Sequence, residues 1–224
     1  MAEAIGQVLS LGVGVSLSPV PIIAVVLMLA TPRARSNGPA FVLGWIVGLV
    51  VVGSLVLVVA SGADAGQGSD PATWVDVLKL VLGTLLVLVA ARQWVKRPRE
   101  GADAPLPTWM RTIDEFSPAR SIALGSALSG VNPKNLLLTV GAAAAIAGSA
   151  SSAGQEAVAF GVFVAVATLG PGAPVIVYFA LGERAVRSLG ALKTWLSVHN
   201  AAIMAVLCLI IGAKLIGDGI AGLG

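Results

Sequence analysis

Long apolar runs alternate with short polar breaks along this chain, and the runs are apolar on every helical face rather than along one stripe. A membrane-spanning helix needs about 20 mostly apolar residues. Six windows meet that requirement, near 5–30, 40–61, 74–94, 121–148, 155–181 and 196–217. A membrane barrel would instead show alternating segments of about 10 residues. The pattern therefore predicts an all-α polytopic membrane protein with six transmembrane helices. Met1-Ala2-Glu3-Ala4 supplies no basic region ahead of the first run, and the run is longer than a secretory signal requires, so the first helix is expected to stay attached.

Composition sharpens this reading. Of 224 residues, 57% are hydrophobic and 11% charged, with a mean hydropathy of +0.94. A soluble domain carries about 25% charged residues, and disorder needs low hydrophobicity with high charge, so both classes are excluded. The single Cys208 permits no disulfide within the chain and no cysteine metal cage. The net charge of +3 does not point to nucleic acid, because the cations sit in short breaks between the apolar runs. Arg33 and Arg35 lie in the first break; Arg92, Lys96, Arg97, Arg99, Arg111 and Arg120 in the third; Arg184, Arg187 and Lys193 in the fifth. The second and fourth contain acids, Asp64, Asp70 and Glu156, but no Lys or Arg. Cytoplasmic connections are enriched in cations, so the odd breaks are expected inside the plasma (inner) membrane and both termini outside.

The polar stretch 95–120 divides the chain into two sets of three helices, 1–94 and 121–224, with 95–120 as a cytoplasmic linker. Within it Leu106, Trp109, Met110 and Ile113 follow helical spacing, which predicts a short amphipathic helix with its apolar face in the lipid interface. It would serve as a tether or as a docking place for a partner protein or anionic lipid. Three helices per half reverse the second half across the membrane, the geometry of an inverted repeat. Ser18-Pro19 in the first helix answers Asn132-Pro133 in the fourth, Gly44 answers Gly161, and Arg92 and Lys214 end the third and sixth helices.

The candidate chemistry lies at those two matched places. In Ser16-Leu17-Ser18-Pro19-Val20-Pro21, two prolines remove backbone donors and push on the preceding turn, so the first helix should open near its middle. The bared carbonyls need protein, Ser16, Ser18 or water as partners. In Ser129-Gly130-Val131-Asn132-Pro133-Lys134-Asn135, a rise of about 1.5 Å per residue places Lys134 about 20 Å into its span. Its stem is too short to snorkel to either surface. The ammonium must enter a polar cavity or bind the free carbonyls of the first helix, and an intramembrane lysine is a functional-site candidate. No acidic residue lies at its depth, which favours an anionic or strongly dipolar head group over a cation. The candidate substrate-binding residues are Ser18, Pro19, Pro21, Asn132, Pro133, Lys134 and Asn135. Asp76 and Lys79 are read as a structural pair, Gly44, Gly48 and Gly53 as packing contacts, and Gly170-Pro171-Gly172-Ala173-Pro174 as a further weak point that would serve as a hinge. His199-Asn200 is read as a wet interfacial or capping pair at the cytoplasmic start of the sixth helix.

No ATP-binding loop, zinc-protease motif or second His or Cys for a transition metal is present. No cofactor, no metal and no enzymatic activity are expected. The segments Ser18-Pro19-Val20-Pro21, Val131-Asn132-Pro133-Lys134-Asn135, and Trp195 to Leu207 continuing through Lys214-Leu215-Ile216-Gly217 resemble the glycolipid-addressing (GAP) family of the LysE exporter superfamily, which includes the mycobacterial sulfolipid-addressing proteins. The resemblance covers essentially the whole chain. It implies six helices, an actinobacterial plasma membrane and a role in exporting cell-envelope glycolipids. The expected reading is a secondary transporter or flippase-like protein of anionic or glycolipid head groups. Two alternatives are an accessory or scaffold protein for a lipid synthase or export machine, and an amino-acid exporter of the wider superfamily.

Overall fold

A computed structural model describes residues 2–64, 71–95, 97, 108–149 and 152–223. Its order is α1 (Ala2–Ser16), α2 (Pro19–Leu29), α3 (Ala34–Asp64), α4 (Pro71–Val95), a short 3-10 helix (Thr108–Glu115), α5 (Pro118–Gly130), α6 (Pro133–Ala147), α7 (Ala153–Leu181) and α8 (Glu183–Leu223). No strand occurs among the described residues. By length and composition α3, α4, α7 and α8 can each cross a membrane, and α1 with α2 makes a fifth candidate bent by 52° at its break. The bundle is thus a multi-pass helical membrane protein. Its outside matches a lipid solvent: Val51, Leu55, Val58, Leu88, Leu169, Ile176 and Ile210 are all exposed. Trp94 carries the Arg97 guanidinium 3.9 Å above its ring, and exposed Trp195 stacks on His199. Aromatic and cationic anchors of this kind suit a membrane interface.

The helix breaks fall where the prolines put them. A proline can occupy the first position of a helix because that N–H has no partner there anyway. Pro19, Pro118 and Pro133 accordingly begin α2, α5 and α6, with Ser18, Ser117 and Asn132 as their caps. Prolines inside α7 behave differently. Pro171 and Pro174 lie within a continuous helix, so the expected weak point is not a break. Pro171 lacks the N–H that would take the carbonyl four residues back, and that carbonyl, on Ala167, accepts from Trp45 Nε1 at 3.3 Å. Trp45 is fully buried on α3, so α3 repairs the defect in α7.

Close backbone approach ties the bundle together. A side chain on Gly44 would place its Cβ 2.0 Å from the Ile122 carbonyl, and one on Gly170 would come within 1.8 Å of the Ser16 carbonyl. Gly44 of α3 thereby seats α5, and Gly170 of α7 seats α1. The proposed counterpart of Gly44, Gly161, is exposed with nothing within 4 Å of its would-be Cβ. Gly44 and Gly161 therefore do not make matching packing contacts.

Four further expectations are revised. Met110 and Ile113 are buried in the protein core, with α2 packed against their helix, so these two cover protein rather than lipid; Leu106 and the side chain of Trp109 lie outside what is described. The segment after α7 is not a loop. Gly182, at φ 59°, takes a left-handed turn that glycine adopts without steric cost, and α8 starts immediately after it. Arg184, Arg187 and Lys193 therefore sit on the first turns of α8, held down by buried Ala185 and Leu189. At the other end α8 runs past Lys214, which pairs with Asp218 at 2.5 Å instead of ending the helix. His199 and Asn200, expected to open the sixth helix, consequently fall well inside it.

Candidate functional site

The two helix breaks meet inside the bundle. A helix leaves its last carbonyls without intrahelical partners, and in the interior of a membrane protein these groups must find protein or water. The end of α1 offers Gly14 and Val15; the end of α5 offers Leu128. Lys134 Nζ donates to the Gly14 carbonyl at 2.6 Å, and Asn135 Nδ2 donates to the Leu128 carbonyl at 3.0 Å. Gly14 and Leu128 occupy the same place in their segments, each five residues before its proline. Both are served by consecutive residues in the first turn of α6.

Ser18 completes the junction. Its Oγ lies 2.7 Å from the Val15 carbonyl, the one that Pro19 leaves free, and 2.8 Å from Asn135 Oδ1. A hydroxyl carries one hydrogen, so the two acceptors share it. Asn132 caps α6, its side chain accepting from the Lys134 backbone N–H at 3.2 Å. Ser16 Oγ accepts from the Gly170 backbone N–H at 2.8 Å, joining the same break to α7. Ser18, Pro19, Pro21, Lys134 and Asn135 are buried, Asn132 is half-buried and Pro133 is exposed. Of the seven expected site residues, hydrogen bonds at this junction join Ser18, Asn132, Lys134 and Asn135; Pro19 and Pro133 begin the two half-helices, and Pro21 lies further along α2 with no such contact.

Lys134 has an unusual electrostatic position. The start of α6 carries the positive end of its helix dipole, an unfavourable place for a cation, whereas the carboxyl end of α1 is favourable. The contact with Gly14 resolves that conflict. Lys134 is 1% exposed. Among the described residues the ion pairs are Asp76–Lys79 and Lys214–Asp218, and neither involves it. One acceptor is supplied for its three N–H donors. No cluster of His, Cys, Asp or Glu able to hold a metal occurs among the described residues.

Lys134 also borders a cavity of about 370 Å³, lined by Val20, Val89, Arg92, Gln93, Asn132, Pro133, Asn200 and Met204. Arg92, Gln93 and Asn200 were not among the expected site residues. Arg92 sits in the last turn of α4, where a cation reads in sequence as a topology signal. Asn200 reads as an interfacial residue beside His199. No spacing in the sequence marks either residue as part of this cavity; it is the packing of α4 along α8 that brings them together.

Broken helices meeting in the interior, a buried lysine without a carboxylate partner and an adjacent cavity of mixed lining belong to a multi-pass helical membrane protein. The family model described as Sap, sulfolipid-1-addressing protein (SfLAP), matches residues 8–221, and the chain belongs to that family. The family name implies a role in addressing a sulfolipid, that is, in lipid transport. No curated protein and no solved structure matches the chain.

Proposed function

We propose that this protein is a secondary transporter that moves an anionic cell-envelope glycolipid across the plasma membrane, holding the head group at the junction of two inverted three-helix repeats. The observation that carries this reading is the Lys134 ammonium, buried beside a cavity of mixed polar and apolar lining with a backbone carbonyl and no carboxylate as its partner. A cation kept in the membrane interior is costly, and a purely structural staple between α1 and α6 needs no charge. The uncharged Asn135 performs the corresponding task on α5.

The inverted repeat is supported by which helices pack together. The α3 to α5 contact matches α7 to α1, α2 to α7 matches α6 to α3, and α2 to α8 matches α6 to α4. Where α4 crosses α8, the contact is reciprocal: a Cβ on Gly83 would lie 2.8 Å from the Gly212 carbonyl, and one on Gly212 2.8 Å from the Gly83 carbonyl. Such reciprocity is what a two-fold axis between the halves produces. In this reading α5 and α6 form the remaining broken span, the halves are 1–94 and 121–224, and the arginine-rich ends face the cytoplasm. The cavity beside Arg92 then opens to the inner leaflet, where the lipid is collected.

Export in cells tests the proposal. Deleting the gene should remove the transported glycolipid from the extractable surface fraction, and wild-type protein should restore it. Lys134→Ala, produced at normal level in the membrane, should restore none; normal export by that variant would reject the role given to Lys134.

A further inference from the structure

The two ends of the α4–α8 pair are packed differently. At one end Gln93 of α4 and Met204 of α8 line the cavity beside Lys134. At the other end the same two helices meet without a gap. A Cβ on Gly219 would lie 2.8 Å from the Asp76 carbonyl and 2.9 Å from Leu80 Cγ, and one on Gly222 would run into the Asp76 carboxylate. Between the ends stands the reciprocal contact of Gly83 with Gly212. An exchange that swaps these two glycines also swaps, at equal steps along each helix, Gln93 with Gly222 and Met204 with Val75. Residues of the open cavity therefore have counterparts in a closed seam: Gly222 abuts Asp76, and buried Val75 has its Cγ2 2.8 Å from where a Cβ on Gly148 would stand.

Asp76 holds a charge inside this seam. It is 5% exposed, and Lys79 Nζ donates to its Oδ1 at 2.8 Å. A buried carboxylate that loses its partner is strongly destabilising, and the short aspartate stem cannot carry it to water. Lys79 is the more exposed of the two, and a lysine stem can move its charge toward the surface. The partners are thus unequal. Without Lys79 the seam must open to hydrate Asp76, whereas without the charge on Asp76 nothing drives it open.

We infer that this seam is the outer gate of the protein, latched by Lys79 on Asp76, and that the structure is the inward-facing member of a two-state pair that pivots where Gly83 meets Gly212. Opening the seam while closing the cavity beside Arg92 exchanges the roles of the two halves, as an inverted repeat permits, and turns the junction of the helix breaks toward the outside. The inference rests on the proposed inverted-repeat transporter and adds to it a state, a pivot and a gate.

The test is reciprocal labelling with a membrane-impermeant maleimide, on full-length protein with Cys208→Ala, in right-side-out and inside-out vesicles. Met204→Cys should react from the cytoplasmic face, and Val75→Cys should be nearly silent from the outer face. Adding Lys79→Met should raise outer labelling of Val75→Cys at least about tenfold, since an unpaired buried charge is enough to shift a two-state equilibrium that far. The same change should slow the labelling of Met204→Cys. Lys79→Arg should keep the wild-type pattern, and Asp76→Asn should leave Val75→Cys silent. Gly222→Ala wedges the seam with the ion pair intact, so it should open the gate by a second route. All variants should keep the wild-type elution profile. An ion pair that only stabilises the fold makes Lys79→Met and Asp76→Asn act alike and leaves Met204→Cys unchanged; either result would overturn the inference. So would a Val75→Cys that stays silent in both Lys79→Met and Gly222→Ala. Lipid translocation measured in the same vesicles separates this inference from the reading beneath it. Translocation alongside an unresponsive seam removes the gate and leaves the transporter standing, whereas reciprocal labelling without translocation by wild type keeps the two-state seam and removes the transporter.

Discussion

Lys134 and Asn135 are adjacent in sequence and do similar structural work with different chemistry. Each closes a bared carbonyl at the end of a half-helix, one with an ammonium and the other with an amide. Removing Asn135 should therefore cost stability. Asn135→Ala strands the Leu128 carbonyl and takes from Ser18 one of its two acceptors, a loss of about 1–3 kcal/mol; the melting temperature in detergent should fall accordingly. Lys134→Ala should instead leave melting within a few degrees of wild type, because the cavity lets water reach the region, while transport is lost. A fall for Lys134→Ala as large as that for Asn135→Ala would make the lysine a staple only. The proline and lysine chemistry of this junction was readable in the sequence, since a proline's missing donor and a short lysine stem are local facts. Arg92 and Asn200 were not readable, because their meeting depends on how α4 and α8 cross, and no spacing in the chain encodes that.

Helix packing here depends on a few close approaches, and their costs can be predicted from geometry. Gly44→Ala forces α3 away from the Ile122 carbonyl of α5 and should destabilise the protein by about 1–3 kcal/mol, the range for overpacking a filled interior. Gly161→Ala meets nothing within 4 Å and should be neutral or slightly stabilising through helix propensity. Thermal melting of the two variants checks the contrast. Trp45 and Pro171 form a second case. Trp45→Phe leaves the Ala167 carbonyl without its indole donor, at a cost of about 1 kcal/mol. In a Pro171→Ala background the restored backbone N–H takes that carbonyl, so the same Trp45 substitution should cost less; additive effects would contradict this account. Periodicity located the long apolar helices, but it could not show that α7 would pass through two prolines unbroken. That outcome depends on a donor from a distant helix. Nor could it place the start of α8: Arg184, Arg187 and Lys193 look like a loop, and the buried Ala185 and Leu189 among them reveal a helix only once their packing is known.

The molecule as a whole is organised around its two breaks. The asymmetry of cations predicts which ends face the cytoplasm, and single-cysteine labelling can check it. Arg35→Cys and Arg187→Cys, both at exposed positions, should react with a membrane-impermeant maleimide only after permeabilisation, whereas Ser152→Cys should react on intact cells. The native Cys208 is fully buried and should remain silent in each case. The reverse pattern would invert the proposed direction of loading.

The most direct measurement is the movement of a labelled anionic glycolipid between the leaflets of vesicles that contain only this protein. The account predicts translocation by wild type, little by Lys134→Ala despite equal incorporation, and slower movement of the uncharged counterpart. Translocation by Lys134→Ala at the wild-type rate, or none by correctly incorporated wild-type protein, would contradict it.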